Sequence, residues 1–82
     1  MDTLYPCCAG LDVHKDTVVA CVRRIDAKGK ARQQTRTFGT MTDPLLELAD
    51  WLAEEGVTHA AMESTGVYWK PIWNILEDQF QI

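Results

Sequence analysis

The sequence has no apolar run approaching the roughly 20 residues that a helix needs to cross a bilayer, so no membrane-spanning helix is predicted. Residues 1–6, Met-Asp-Thr-Leu-Tyr-Pro, lack the basic start and the apolar core of a secretion signal. We therefore expect a cytoplasmic protein that has no membrane partner.

Cysteine is scarce. The chain contains three, Cys7, Cys8 and Cys21, an odd number without any Cys-x-x-Cys spacing. This pattern argues against a zinc site and against a disulfide framework. Because each cysteine lies in a strand-like stretch, we expect all three to be small buried apolar residues.

Basic charge is confined to one part of the chain. The net charge of −4 argues against a free-standing nucleic-acid-binding protein. Residues 15–36 nevertheless have a balance of +5, whereas residues 37–82 have a balance of −7 and one basic residue, Lys70. This asymmetry predicts an edge that faces a polyanion, although a solvated hairpin would show the same pattern.

The length of 82 residues allows one small domain at most, or part of a larger one. Three strands are predicted in its first half. The first has small or apolar residues on both sides of a two-residue period, so we expect a central strand that is covered on both faces. Its two sides are Cys7, Ala9, Leu11 and Val13, and Cys8, Gly10, Asp12 and His14. Residues 17–25 predict a second strand, residues 26–30 a hairpin turn with Gly29 at positive φ, and residues 31–38 a polar edge strand.

A helical period follows. Asp43 is predicted to be the N-cap, Pro44 the first helical residue and Gly56 the C-terminal stop. The apolar stripe of this helix is Leu45, Leu48, Ala49 and Leu52. Residues 57–62 predict a buried parallel strand that ends at Glu63.

A second helix is predicted over residues 67–78, with Pro71 confining its regular part to later residues. Its aromatic residues, Tyr68, Trp69 and Trp73, are interpreted as core rather than as platforms that stack on bases. Residues 79–82 have the pattern of a fifth strand that has only begun.

The order β-β-β-α-β-α restricts the topology. A right-handed crossover places the fourth strand beside the first if the third strand is an edge. The predicted fold class is therefore α/β, with a mixed sheet of strand order 3-2-1-4. This is the core of the ribonuclease H-like (RuvC-like) sheet and also of the nucleotide-binding half of actin-like ATPases. The sequence is expected to stop before the remaining strands and helices.

In that topology Asp12 and Glu63 lie at neighbouring strand ends, on the carboxyl side where open α/β sheets place their sites. Two carboxylates held together repel each other unless a divalent cation lies between them. Mg²⁺ prefers oxygen ligands, and such ions can activate water and stabilise the leaving oxygen in phosphodiester cleavage. His14 follows on the same side of the strand and is interpreted as a turn residue, with assistance to a metal or phosphate as the alternative.

The motifs Gly-Leu-Asp-Val-His-Lys-Asp at residues 10–16 and Met-Glu-Ser-Thr-Gly-Val-Tyr-Trp at residues 62–69 resemble the insertion-sequence 110 family of transposases. The resemblance covers nearly the whole chain and implies that residues 1–82 are part of a RuvC-like catalytic domain with an Asp-Glu-Asp-Asp set. It implies that Asp12 and Glu63 match the first two acidic residues and bind Mg²⁺. The last two acidic residues of the set have no counterpart in this sequence. The family's nucleophilic serine has none either, so Ser64 is interpreted as a cap or turn residue. We expect this part alone to be inactive.

The resemblance also implies partners, because the family members are Mg²⁺-dependent DNA recombinases that assemble as homo-oligomers and use a structured guide RNA. The basic residues expected to contact DNA or RNA phosphates are Lys15, Arg23, Arg24, Lys28, Lys30, Arg32 and Arg36.

Two other functions stay open at this point. The first is an actin-like ATPase fragment, whose first hairpin would hold a phosphate. That role favours glycine and hydroxyl residues after the first Asp, and Val13, His14 and Lys15 offer neither. The second is a non-enzymatic module in which the basic hairpin only docks RNA or a partner chain.

Overall fold

The computed structural model describes residues 7–26 and 28–82. The predicted lack of a secretion signal concerns residues 1–6, and the predicted hairpin turn includes Ala27; these residues lie outside the described ones. The elements are, in chain order, β1 (Cys7–Val13), β2 (Thr17–Ile25), β3 (Ala31–Gly39), α1 (Thr42–Glu54), β4 (His59–Ser64) and α2 (Trp69–Leu76).

The four strands form one mixed sheet in the order β3-β2-β1-β4. β1 is antiparallel to β2 and parallel to β4, and β2 is antiparallel to β3. Beyond β4, Gln81 forms a parallel bridge with His59. Its N–H donates to the Thr58 carbonyl at 2.9 Å, and its carbonyl accepts from the Ala60 N–H at 2.8 Å. The predicted α/β fold and strand order are confirmed, whereas residues 79–82 form an isolated bridge, and the predicted start of a fifth strand stays a prediction.

One face of the sheet carries the core. The buried sheet residues follow the two-residue period and are Cys7, Ala9, Leu11, Val13, Val18, Ala20, Val22, Phe38 and Ala60. They form a single cluster with the apolar stripes of both helices, namely Leu45, Leu48, Ala49, Trp51, Leu52, Ile72 and Leu76. In the described part of the chain, no helix is both long and apolar enough to span a membrane.

The opposite face, which we call the open face, is not covered by any described residue. Gly10 and Asp12 of β1 and His14 just after it are exposed, and Cys8 and Cys21 are half-buried. The prediction that β1 is covered on both faces is therefore wrong for the described residues, because both helices pack on the same side. For the same reason, only one of the three cysteines, Cys7, is buried, although all three are free thiols.

The aromatic residues near the start of α2 are also more exposed than predicted. Tyr68, Trp69 and Trp73 are 39%, 37% and 36% exposed, whereas Ile72 and Leu76 are fully buried. The core interpretation of the three aromatic residues is wrong in the described structure. A short helix that rests on one side of a sheet buries a single narrow stripe, and the two tryptophans lie on the neighbouring stripe.

Both predicted helix starts are displaced by two residues. α1 begins at Thr42, and the N-cap position is held by Met41 without a side-chain hydrogen bond, so Asp43 is not the cap. Asp43 instead lies in the first turn, where a negative charge interacts favourably with the helix dipole. Pro44 and, in α2, Pro71 also lie in first turns, where the missing N–H has no intrahelical partner to lose.

The end of α1 is fixed by Gly56, which has a φ of +80°. The N–H of Gly56 donates to the Ala53 carbonyl at 3.1 Å, and the N–H of Val57 donates to the Leu52 carbonyl at 3.0 Å. This pair of bonds is a Schellman motif, which satisfies carbonyls that the helix end leaves free. It also explains why β4 begins at His59 and not at the predicted residue 57.

We expect Gly56→Ala to lower the free energy of unfolding by about 1 kcal/mol, because a residue with a Cβ is strained in the left-handed region. Urea denaturation measures the change. Gly10→Ala is the matched control: its φ is not positive, and an added Cβ would meet no atom within 4 Å. A strand glycine gains from a side chain, so the control should be neutral or slightly stabilising. Equal losses in both variants would contradict the role of Gly56.

Candidate metal and catalytic site

Asp12 and Glu63 are direct partners in the parallel ladder between β1 and β4. Paired residues of adjacent strands project from the same face, and the strands lie about 4.8 Å apart. Each carboxylate is next to the last residue of its strand, at the carboxyl edge of the sheet. Both residues are exposed, although Glu63 was expected at the end of a buried strand. The predicted adjacency is therefore present, while the chemical role of the pair stays a prediction.

A shallow groove of about 300 Å³ runs along the open face beside the two carboxylates. Its floor is made of small or β-branched residues: Gly10, Val19, Cys21 and Ala61. Gly10 and Ala61 are ladder partners one step away from Asp12 and Glu63 along the open face. Because neither Gly10 nor Ala61 has a large side chain, the groove beside the carboxylates is open. A large ligand can approach them without displacing any core residue.

His14 contacts Asp12. The Nε2 atom of His14 lies 3.2 Å from Oδ2 of Asp12, and the two side chains are 48% and 60% exposed. The turn that carries His14 is held by backbone contacts: the His14 N–H donates to the Thr17 carbonyl at 2.8 Å. The hydroxyl of Thr40 donates to the Lys15 carbonyl at 3.1 Å and links this turn to the start of α1. The imidazole is thus presented to the carboxylate by an anchored turn.

Within the described residues, no group of three or more His, Cys, Asp or Glu side chains is arranged to hold a metal ion. Asp12 and Glu63 supply two carboxylates, and Mg²⁺ is commonly held by one or two carboxylates together with waters and substrate phosphates. The donor chemistry of the pair therefore fits an incomplete Mg²⁺ site, which other ligands must complete.

A family model described as a transposase, that of the DEDD transposases of insertion-sequence 110, matches residues 9–81. The chain belongs to this family. The match spans both motifs and all six elements except the first two residues of β1. The family as a whole suggests a divalent metal and binding to DNA. No curated protein matches the sequence.

Among solved structures, the transposase domain is similar to one titled "Structural Study of the Aquifex aeolicus PPX-GPPA enzyme". The TM-score is 0.50, the sequence identity is 16%, and the match covers 87% of this chain and 30% of the other. At this identity the likeness concerns the fold alone. The chain spans less than a third of the length of that enzyme.

Ser64 and Asp78 lie outside the carboxylate pair. Ser64 is the last residue of β4, and its hydroxyl donates to the Thr65 carbonyl at 3.3 Å, as expected of a turn residue. Asp78 lies after the end of α2 and is exposed. Among the described residues, no third acidic side chain joins Asp12 and Glu63 in a cluster.

The basic residues expected to contact nucleic acid do not share one surface. In β2, Arg23 lies on the same face as Cys21, which is the open face. Arg24 lies on the opposite face, with the buried residues of this strand. The register of β2 with β3 places Arg32 and Arg36 on the same side as Arg24. The remaining three lie in turns: Lys15 between β1 and β2, and Lys28 and Lys30 between β2 and β3.

Two of these arginines are engaged within the domain, which sequence reasoning missed. The Arg24 guanidinium donates to the main-chain carbonyl of Glu55 and lies 3.4 Å from its Oε1. The Arg36 guanidinium lies 4.8 Å from the ring centre of Phe38 and 5.2 Å from that of Trp51. Both contacts depend on how α1 packs against the strands, which composition does not reveal. Among the described residues, the other five basic side chains make no ion pair.

Proposed function

We propose that this domain is the N-terminal part of the catalytic domain of a DNA transposase and recombinase. Asp12 and Glu63 would contribute two of the four acidic residues of a Mg²⁺-dependent site for phosphodiester cleavage. The observation that carries the proposal is the direct pairing of the two residues at the carboxyl edge of parallel strands. Membership of a DEDD transposase family supports it.

The roles of the two residues follow from their chemistry. When bound, Mg²⁺ supplies charge neutralisation and an activated water for cleavage of the phosphodiester. Asp12 and Glu63, which are both exposed, would hold and orient the ion through their carboxylate oxygens. The groove above Gly10 and Ala61 leaves space for the sugar-phosphate backbone beside them. Two carboxylates leave most of the coordination sphere to other ligands, so we expect the 82-residue chain to bind metal weakly and to cleave nothing.

DNA and a structured guide RNA are the proposed partners of the whole transposase, which would act as a homo-oligomer. Lys15, Arg23, Lys28, Lys30 and Arg32 are the basic side chains best placed to contact phosphates, because no ion pair occupies them in the described structure. Such contacts give affinity that falls steeply with salt and does not depend on base sequence. The proposed roles of Arg24 and Arg36 in binding would require them to leave their partners within the domain.

Metal binding by the chain tests the proposal directly. In a Mn²⁺ titration followed by ¹H–¹⁵N NMR, we expect paramagnetic broadening around Asp12 and Glu63, with a Kd of about 1 mM. Asp12→Asn and Glu63→Gln keep the side-chain shape and remove the charge, so each should weaken the broadening about tenfold or more. Asp78→Asn, which removes an exposed carboxylate elsewhere, is the control and should change nothing. Broadening that persists in both site variants would reject the pair as a metal site.

An actin-like ATPase is the main alternative. The similar solved structure concerns the fold alone and does not favour this function. The turn after Asp12 contains neither a glycine nor a hydroxyl residue at positions 13–15. ATP added to the same NMR sample distinguishes the two functions, because chemical-shift changes in this turn on addition of ATP would favour the ATPase.

A further inference from the structure

We infer that His14 is a positioning residue for Asp12, which holds one carboxylate oxygen so that the other is presented to a cation. The inference rests on the proposed function, because it names how one of the two metal-binding side chains is oriented. It starts from a contact: Nε2 of His14 lies 3.2 Å from Oδ2 of Asp12. This separation lies within the range for an N–H donor and a carboxylate acceptor.

The contact is supported by where the two residues lie. Asp12 is the penultimate residue of β1 and projects toward the open face, and His14 follows the last residue of the strand, where its imidazole reaches the carboxylate. The Asp12 side chain is 60% exposed and has no neighbour in the core to fix its rotamer. Among the described residues, His14 is the one side chain in polar contact with it, and its own backbone is fixed by the bond to Thr17. The anchored imidazole therefore restricts a carboxylate that would otherwise rotate freely.

Restricting Asp12 has a consequence for the choice of cation. Contact of Oδ2 with the imidazole leaves Oδ1 as the oxygen without a partner among the described residues. A carboxylate that offers one oxygen suits the octahedral geometry of Mg²⁺ and Mn²⁺, whereas Ca²⁺ readily takes both oxygens of a carboxylate. His14 would thus favour the smaller ions over Ca²⁺. Outer groups of this kind typically change metal affinity by about 10- to 100-fold.

The experiment compares His14→Ala, His14→Gln and His59→Ala with the unchanged chain. Mn²⁺ and Ca²⁺ affinities are measured by NMR titration, and the thermal midpoint of each variant is recorded to confirm folding. We expect His14→Ala to weaken Mn²⁺ binding about tenfold and to weaken Ca²⁺ binding less. His14→Gln keeps an N–H donor of similar reach and should stay within about twofold of the unchanged chain. His59 lies in β4 opposite Cys8, far along the sheet from the pair, so its removal should have no effect on affinity.

A second measurement does not depend on metal. The ring nitrogens of His14 are observed by long-range ¹H–¹⁵N NMR, and Asp12→Asn should shift them while leaving the signals of His59 in place. This shift would show that the contact forms in solution, while the unequal loss of Mn²⁺ and Ca²⁺ affinity is the result that a merely structural role would not produce. An absent shift would show that the contact does not form in solution and would overturn the inference.

The possible failures are distinguishable. If Asp12→Asn and Glu63→Gln weaken metal binding but His14→Ala does not, the inference is wrong and the proposed function stands. If neither carboxylate variant has an effect, the proposed function fails and the inference fails with it. If His14→Ala and His14→Gln weaken Mn²⁺ binding equally, and the magnetic resonance spectrum of the bound Mn²⁺ shows coupling to a ring nitrogen, His14 is itself a ligand. This result also overturns the positioning role.

Discussion

Asp12→Asn is expected to abolish DNA strand cleavage by the transposase that carries this domain, with a rate loss of about a thousandfold or more. A bound cation supplies several kcal/mol of transition-state stabilisation, and each 1.36 kcal/mol corresponds to about a tenfold change in rate. The variant keeps the size and shape of the side chain but removes the negative charge that attracts the ion. The measurement is a single-turnover cleavage assay on labelled DNA in the presence of Mg²⁺.

Glu63→Gln should have an effect of similar size, because the two side chains are ladder partners that would face one ion. Residues that act as a unit give non-additive losses, so the double variant should be little worse than either single one. Binding of guide RNA and DNA is measured in parallel by filter retention or gel shift. If nucleic-acid binding is retained and strand cleavage is lost, the carboxylates act in the cleavage step. Unchanged cleavage in both variants would favour the module that only docks nucleic acid or a partner chain.

Leu52→Ala is expected to cause the largest loss of stability. Leu52 is fully buried in α1, within the cluster that joins both helices to the sheet. Removing a leucine side chain from such a site costs about 2–5 kcal/mol, because transfer energy is lost and a cavity remains. A domain of this size has a free energy of unfolding of about 4–12 kcal/mol, so the variant should lose a large share of its stability.

Chemical denaturation followed by tryptophan fluorescence measures this loss, with Leu46→Ala as the matched control. Leu46 lies in the same helix and is 48% exposed, so the same change of residue should cost less than about 0.5 kcal/mol. A small effect of Leu52→Ala, or equal effects in both variants, would show that α1 does not pack on the sheet as described.

The strand order and the Asp12–Glu63 neighbourhood were predictable because topology restricts them strongly. Once residues 31–38 are interpreted as a polar edge strand, a right-handed crossover leaves one place for the fourth strand. The small residues Cys8 and Gly10, in contrast, led to the wrong expectation that β1 is covered on both faces. Small apolar side chains are compatible with a close neighbour and also with an open groove, and the sequence contains nothing that separates these cases.

The contacts of individual side chains were not predictable for a different reason. The pairing of Arg24 with Glu55 depends on where α1 ends relative to β2, and these two elements are distant in sequence. The placement of Arg36 over Phe38 and Trp51 depends on which face of β3 meets the helix. A shift by one residue in the register of a strand would reverse both faces. The charge composition indicated a basic region, but it could not show that the basic side chains of this region lie on two surfaces.

The parallel pairing of β1 with β4 also bears on how the domain acquires its chemistry during folding. Most of the chain lies between Asp12 and Glu63, and the loop-closure entropy of joining such distant segments must be overcome before their contacts become favourable. The antiparallel strands are local and can form without this step, but the carboxylate pair cannot. A nascent or partly denatured chain therefore lacks the proposed cation site altogether. Nuclease chemistry, which would be harmful if released without control, would then be restricted to molecules in which α1 has already docked.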